Sequence, residues 1–199
     1  MNRSAETLIE DVEGQRAEIY SLMGRLLAGP PPPETLQRLG AATGEAGTFG
    51  EAVAALATAA RQADPQTVGE EYHQLFIGLG RGELVPFASY YLTGFLHEKP
   101  LARLRHDLRA LGVERDPAVK EPEDHIAALM EVMAGLILGR FGATGGLAQQ
   151  QRFFDDHLAP WARHFFRDLE TAESAGFYRP VGRLGSLLME IESTAFVMT

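Results

Sequence analysis

The chain has 199 residues and a mass of 21.7 kDa, a length that can bury one hydrophobic core or two closely packed subdomains. Hydrophobic residues make up 45% and charged residues 23% of the sequence, which excludes a disordered or fibrous protein. The formal charge of -9 disfavours binding to nucleic acid, and the absence of cysteine excludes disulfides, thiol nucleophiles and cysteine-ligated metals.

The balance of residue types favours helices over strands. There are 27 alanines and 25 leucines but only nine valines and six isoleucines. We therefore predict an all-α fold, a single helical-bundle domain of about ten helices. The first helix ends at Gly29 and the prolines that follow it. Its predicted apolar face consists of Leu8, Val12, Ile19, Met23, Leu26 and Leu27.

Periodicity and punctuation predict nine further helices. They cover about 34–42, 51–62, 66–77, 89–97, 101–111, a stretch opening at Pro122, 147–157, 160–174 and 180–197. The glycines in 78–88 predict an irregular segment that turns tightly and packs against the core. The charged segment 113–121 is either a surface loop or a hinge between two subdomains, 1–112 and 122–199.

No stretch approaches the roughly 20 apolar residues that span a bilayer, and no targeting segment is visible. The sequence thus predicts a cytoplasmic protein without stable membrane insertion. Only Glu70 and His73 have the Glu-x-x-His spacing that a helical di-iron centre needs twice. The loop 78–82 lacks the ending of a phosphate-binding loop, and no nucleophile elbow occurs. We therefore expect no metal, no cofactor and no enzymatic activity.

A helical ligand-responsive transcription regulator and a metal-binding helical bundle are the alternative functions. Residues 1–30 contain three arginines and five acidic residues, which disfavours a DNA-reading unit at this end of the chain. His157 and His164 are seven residues apart, but Pro160 lies between them. Packing or capping therefore explains these two histidines better than metal binding does.

Three carboxylates and a histidine crowd residues 121–125, directly before the apolar residues Ile126, Leu129 and Met130. One interpretation is structural: Pro122 occupies the first helical position, and the acidic residues cap the helix or complement its dipole. The other is functional: a carboxylate and an imidazole beside an apolar groove accept a basic, partly apolar peptide.

Four motifs together resemble the TorD/DmsD (NarJ-like) family of redox-enzyme maturation chaperones. They are Glu-Tyr-His-Gln-Leu-Phe-Ile-Gly at 71–78, Pro-Phe-Ala-Ser-Tyr-Tyr at 86–91, Glu-Pro-Glu-Asp-His at 121–125, and His-Leu-Ala-Pro-Trp at 157–161 followed by Phe165 and Phe166. The resemblance runs from about Glu70 to the C-terminus, and its most specific element is the acidic motif ending in Asp124 and His125.

The resemblance implies a cytoplasmic all-helical protein that binds the twin-arginine leader of an apo molybdoenzyme, assists cofactor insertion and delays export. Clients of the dimethyl sulfoxide reductase, trimethylamine N-oxide reductase and formate dehydrogenase types would all fit. The chaperone would be a monomer or a domain-swapped homodimer. The leader-binding residues implied are Asp124, His125, Glu123, Pro122, Tyr72, Leu75, Phe76, Pro86, Ser89 and Tyr91.

Overall fold

The computed structural model describes residues 3–116, 118–141 and 146–198, with side chains from residue 12 onward. In this part of the chain there are ten α-helices, a π-helical turn and a single extended pairing, between Phe87 and His125. The predicted all-α fold is therefore confirmed. The helices are α1 Arg3–Ala28, α2 Pro33–Gly40, α3 Thr48–Gln62, α4 Pro65–Tyr72, the π-turn His73–Ile77, α5 Ala88–Thr93, α6 Lys99–Ala110, α7 Ile126–Ile137, α8 Leu147–His157, α9 Ala162–Thr171 and α10 Tyr178–Val197.

The chain forms two compact units, each made from two separate stretches of sequence. The first unit contains the described residues of Met1–Ala28 and Phe87–Pro160, and the second those of Gly29–Pro86 and Trp161–Thr199. The predicted hinge 113–121 lies inside the first unit, between α6 and α7. Its role as a hinge stays a prediction, and Pro117 within it lies outside the described residues.

In the first unit, α1 packs lengthwise against α7. Tyr20, Met23 and Leu26 on α1 are fully buried. Helix α7 is apolar on nearly all sides, as expected for a central helix. The predicted apolar face of α1 is buried only in the second half of the helix, because Val12 is 54% exposed. The side chain of Leu8 lies outside the described part.

In the second unit, α10 packs against α9 and α3. Trp161, Phe165 and Phe166 are buried and form part of the core of this unit. Gly182 lets α10 lie almost on the backbone of α9, where a Cβ atom would come 2.7 Å from the carbonyl oxygen of Phe166. Among the described residues, no helix is long and apolar enough to cross a membrane.

Candidate functional site

The acidic segment 121–125 forms a turn that precedes α7. We expected the helix to open at Pro122, but it begins at Ile126. The reason is a long-range pairing: the Asp124 carbonyl accepts the Ala88 N–H at 3.0 Å, which holds this backbone extended. His125 then caps the helix, since its Nδ1 accepts the Ala127 N–H at 3.1 Å.

Asp124 connects this turn to the start of α5. Its Oδ2 accepts the Ser89 N–H at 2.8 Å, and the residue is only 1% exposed. The other oxygen, Oδ1, and the hydroxyl of fully buried Ser89 have no hydrogen-bond partner within the described ranges. Buried polar atoms are nearly always paired, so two such atoms on residues that are joined by a hydrogen bond indicate a place for a donor from outside the chain.

Asp124 lines a cavity of about 480 Å³ in the first unit, which we call the Asp124 cavity. Its wall is mainly apolar, with two carboxylates, two cations and an imidazole. The lining residues are Ala88, Leu92, Thr93, Lys99, Pro100, Arg103, Leu104, Asp124, Leu129, Asp156, His157 and Pro160. A cavity of this size and composition suits a side chain that carries charge on an apolar stem.

The two carboxylates of the cavity wall differ in whether a cation is paired with them. Asp156 pairs with Arg103 at 2.5 Å and lies 3.8 Å from Arg152. Asp124 has no such cation within 4 Å in the described part of the chain, although it is far more buried than Asp156. Because buried charges are normally paired, Asp124 is the carboxylate of this wall best placed to take a cation.

His157 lines both this cavity and a second one of about 490 Å³. Its Nε2 lies 2.9 Å from Asp107 Oδ2, and its ring packs on Phe153 with centroids 5.0 Å apart. The packing role predicted for His157 agrees with this burial. No group of three or more carboxylates and imidazoles in the described residues is arranged to hold a metal ion.

Glu123 is neutralised from within the chain. Arg105 contacts its Oε2 through Nη2 at 2.8 Å and through Nε at 3.0 Å. Burial acts to raise the pKa of Glu123, but the hydrogen bond and charge of Arg105 outweigh it and lower the pKa overall. Pro122, half-buried, closes the same turn by accepting the His125 N–H at 3.1 Å. These two residues therefore fix the turn that presents Asp124.

Burial lowers the pKa of His125 from 6.5 to about 4, despite the opposing charges of Glu121 and Asp124. The folded protein therefore contains a neutral imidazole. Since Nδ1 accepts the Ala127 N–H, the proton sits on Nε2. His125 can offer a partner one donor from Nε2, while its acceptor nitrogen serves the helix.

This neutral histidine makes stability fall in acid. The unfolded chain binds a proton at His125 below about pH 6.5 and the folded chain only near 4, so this contribution to stability is complete above 6.5 and is lost between the two values. His157, whose pKa is also lowered by burial, acts in the same direction. We expect His125→Asn, which can still cap α7, to remove about 2 to 3 kcal/mol of the stability difference between pH 7.5 and pH 4.5.

Urea unfolding of the unmodified protein and of the His125→Asn variant at pH 7.5 and pH 4.5 measures this difference. An equal loss in the two chains would show that the imidazole does not resist protonation.

The other predicted site residues divide between the units. Tyr91 lies in α5 of the first unit, half-buried, with its ring 6.3 Å from that of Tyr90. Tyr72, Leu75, Phe76 and Pro86 belong to the second unit. The structure thus brings together Pro122, Glu123, Asp124, His125 and Ser89 around one turn.

In the second unit, Tyr72 and Phe76 form an aromatic cluster with Tyr178. The ring centroids of Tyr72 and Phe76 lie 4.9 Å apart, and each lies within 6 Å of the Tyr178 ring. Leu75 is fully buried, so its side chain belongs to the core and does not line a surface. Glu71 fixes the cluster, because its carboxylate accepts the N–H groups of three residues that lead into α10: Gly176, Phe177 and Tyr178.

Sequence reasoning missed much of the cavity wall. Lys99, Arg103 and Leu104 come from α6, and Asp156 from α8. Leu104 belongs to a stripe typical of any amphipathic helix. The Arg103–Asp156 pair spans 53 positions, so no local spacing marks it.

A family model described as nitrate reductase delta subunit matches residues 43–167. Relatives named chaperone protein TorD include one from Vibrio cholerae serotype O1, 29% identical over 131 residues, and one from Vibrio atlanticus, 27% identical over 192 residues. The first alignment covers 62% of this chain and 60% of the relative, and the second covers 85% and 89%.

The chain thus spans about 60% of the length of the first of these relatives. A solved structure from Archaeoglobus fulgidus, assigned to redox enzyme maturation, superposes with a TM-score of 0.58 at 19% identity. This superposition covers 89% of the present chain and 93% of the other, and it establishes a shared helical fold.

Proposed function

The chain belongs to the nitrate reductase delta subunit family, which includes the TorD chaperones. We propose that it is a maturation chaperone for a molybdoenzyme and that it is not itself an enzyme. In this proposal it works in the cytoplasm and binds the twin-arginine leader of the apo client. Binding delays export until the molybdenum cofactor has been inserted. Candidate clients are enzymes of the dimethyl sulfoxide reductase, trimethylamine N-oxide reductase and formate dehydrogenase types.

The observation that carries the proposal is the unpartnered oxygen of Asp124. A carboxylate that is 1% exposed and lacks a partner for Oδ1 is costly in the free protein, and an arriving cation relieves this cost. Guanidinium is the best match because it offers several N–H donors in one plane. One N–H group of the guanidinium can reach Asp124 Oδ1 while another reaches the neighbouring Ser89 hydroxyl. A lysine ammonium matches two acceptors on different residues less well.

Two further features support a basic peptide as the ligand. The wall of the Asp124 cavity is apolar around its charged groups, which suits the methylene stem of an arginine. The net charge of -9 attracts a positively charged leader at long range. We propose that Asp124 and Ser89 accept N–H groups of the arginines, that the Nε2–H of His125 donates to a backbone carbonyl of the leader, and that Pro122 and Glu123 hold the turn in place.

Titration calorimetry tests the proposal. We expect a twin-arginine leader to bind with a dissociation constant in the micromolar range, which corresponds to a binding free energy of about -8 kcal/mol. Binding of this strength lets a chaperone release its client. A leader with both arginines replaced by lysine should bind at least about 10-fold more weakly, because lysine loses the paired hydrogen bonds. Equal affinities for the two peptides, or no binding of any leader, would contradict the proposal. A panel of leaders from the three client types would identify the client.

A further inference from the structure

The second cavity of the first unit, of about 490 Å³, lies between α6 and α8, and we call it the α6–α8 groove. Its lining residues belong to these two helices or directly adjoin them. Two contacts join the helices where α8 ends. Arg103 lies 2.5 Å from Asp156, and Asp107 lies 2.9 Å from His157. The helices are therefore tied together at this end of the groove, which fixes its width there.

The groove presents a cation that is only loosely paired. The side chain of Arg152 is 77% exposed and lies 3.8 Å from Asp156, which Arg103 already contacts. The other lining carboxylate, Asp107, is bonded to His157. Helix α6 carries four basic residues and one acidic residue, within a chain whose net charge is -9. The guanidinium of Arg152 is therefore well placed to take a carboxylate from outside the chain.

Next to this cation, the groove holds an acceptor without a partner. Gln149 lies three residues before Arg152 on α8, so the two side chains are neighbours on the helix surface. Both line the groove, and Oε1 of Gln149 is buried with no hydrogen-bond partner among the described residues. A buried acceptor of this kind indicates a donor from outside the chain. A ligand that matches the pair carries a carboxylate and an N–H group close together.

The rest of the groove is apolar and has room for a backbone. Phe153, which is buried, and Leu111, which is half-buried, both line it. Ala110 at the end of α6 and Ala148 at the start of α8 are exposed lining residues with small side chains. These surroundings suit a ligand whose charged group is flanked by apolar groups.

We propose that the α6–α8 groove binds an acidic segment of a partner protein, in which an aspartate or glutamate is flanked by apolar residues. Its carboxylate pairs with Arg152, a backbone N–H group donates to Gln149 Oε1, and an apolar neighbour packs on Leu111. Because Oε1 is buried between the helices, only a narrow segment reaches it, and the broad surface of a second copy does not. This segment has the opposite charge to a leader, so the inference goes beyond the proposed function and is independent of it.

Nuclear magnetic resonance titration of the isotope-labelled full chain tests the groove. The probe is the acetylated and amidated peptide Ala-Glu-Leu-Glu-Ala, and the control is Ala-Gln-Leu-Gln-Ala, which has nearly the same shape without charge. We expect the acidic peptide to bind with a dissociation constant of about 1 mM and to shift the side-chain signals of Gln149 and Arg152. The neutral peptide should bind at least about 5-fold more weakly. Equal affinities for the two peptides, or unmoved signals of both side chains, would overturn the inference.

Variants separate the groove from net charge. Arg152→Gln removes the guanidinium and should weaken binding of the acidic peptide about 10-fold. The matched control, Arg38→Gln, removes the same charge from an exposed position on α2 of the second unit and should change the affinity by less than about 2-fold. Ala148→Leu fills the groove at constant charge and should also weaken binding about 10-fold. Equal losses in the two arginine variants, or full binding by Ala148→Leu, would contradict the inference.

Circular dichroism of each variant verifies that the fold is retained, and Arg152→Gln alone decides if Ala148→Leu unfolds the chain. A twin-arginine leader is titrated in parallel, because neither Arg152 nor Ala148 lines the Asp124 cavity. Leader binding without binding of the acidic peptide would overturn this inference alone, and the reverse would overturn only the proposed function. If Ala148→Leu converts a dimer to a monomer in light scattering and the acidic peptide does not bind, the groove is a self-association surface and the inference is wrong.

Discussion

Asp124→Asn should weaken binding of a twin-arginine leader by about 100-fold while leaving the free energy of unfolding nearly unchanged. The asparagine oxygen can still accept the Ser89 N–H that now bonds to Oδ2 at 2.8 Å, so the connection to α5 survives. The free oxygen is replaced by an amide NH₂, a donor that opposes the N–H groups of guanidinium. The charge that attracts the cation is also lost.

Two controls make this result specific. Glu121→Gln removes the same charge from an exposed position in the same segment and should change affinity by less than about 3-fold. Asp124→Ala also removes the acceptor for the Ser89 N–H, and we expect it to lower the free energy of unfolding by about 2 kcal/mol. Calorimetry and urea unfolding of the three variants measure both effects. Similar affinity losses for Asp124→Asn and Glu121→Gln would mean that only net charge matters.

Gly182→Ala should lower the free energy of unfolding by about 3 kcal/mol. A methyl group at this position would clash with the backbone nitrogen of Glu170 and approach the carbonyl oxygen of Phe166 to 2.7 Å. These are backbone atoms of α9, so no side-chain rotation relieves the clash and the two helices must separate. The tight packing of α9 on α10 would be lost along the contact.

Gly69→Ala is the matched control, because Gly69 also lies within a helix but has no atom within 4 Å of an added Cβ. There, alanine should be neutral or stabilise by up to about 1 kcal/mol, since it has the higher helix propensity. Urea unfolding compares the two variants. A similar small change in both would show that α9 and α10 are less closely packed than their backbones indicate.

Most helices could be predicted from the sequence because their signals are local. The range 147–157 matches α8, and α10 begins two residues before the predicted start at Pro180. The helix predicted over 66–77 changes to a π-turn at His73 for a non-local reason. The returning chain donates its N–H groups at Glu83 and Leu84 to the carbonyls of Gln74 and Leu75. No periodicity within the helix reports such a competition.

The glycine segment was predicted correctly, since Gly82 lies where a Cβ atom would come 2.6 Å from the Leu75 carbonyl oxygen. The start of α7 was not, because pairing with Ala88, 36 positions earlier, keeps Asp124 out of the helix. The candidate site shows the same division. Residue types and the family resemblance pointed to Asp124 and Ser89, whereas the pairing of Arg103 with Asp156 depends on how α6 meets α8.

The division of each unit between two stretches of sequence has a consequence for synthesis. Helix α1 ends at Ala28 and its packing partner α7 begins at Ile126, so roughly 100 residues must be translated before the two can meet. At about 5 to 20 residues per second, the apolar side of α1 waits on the order of 5 to 20 seconds on the ribosome. In the second unit, α3 waits similarly for α10. Neither unit can therefore complete its packing until its second stretch of sequence has been synthesised.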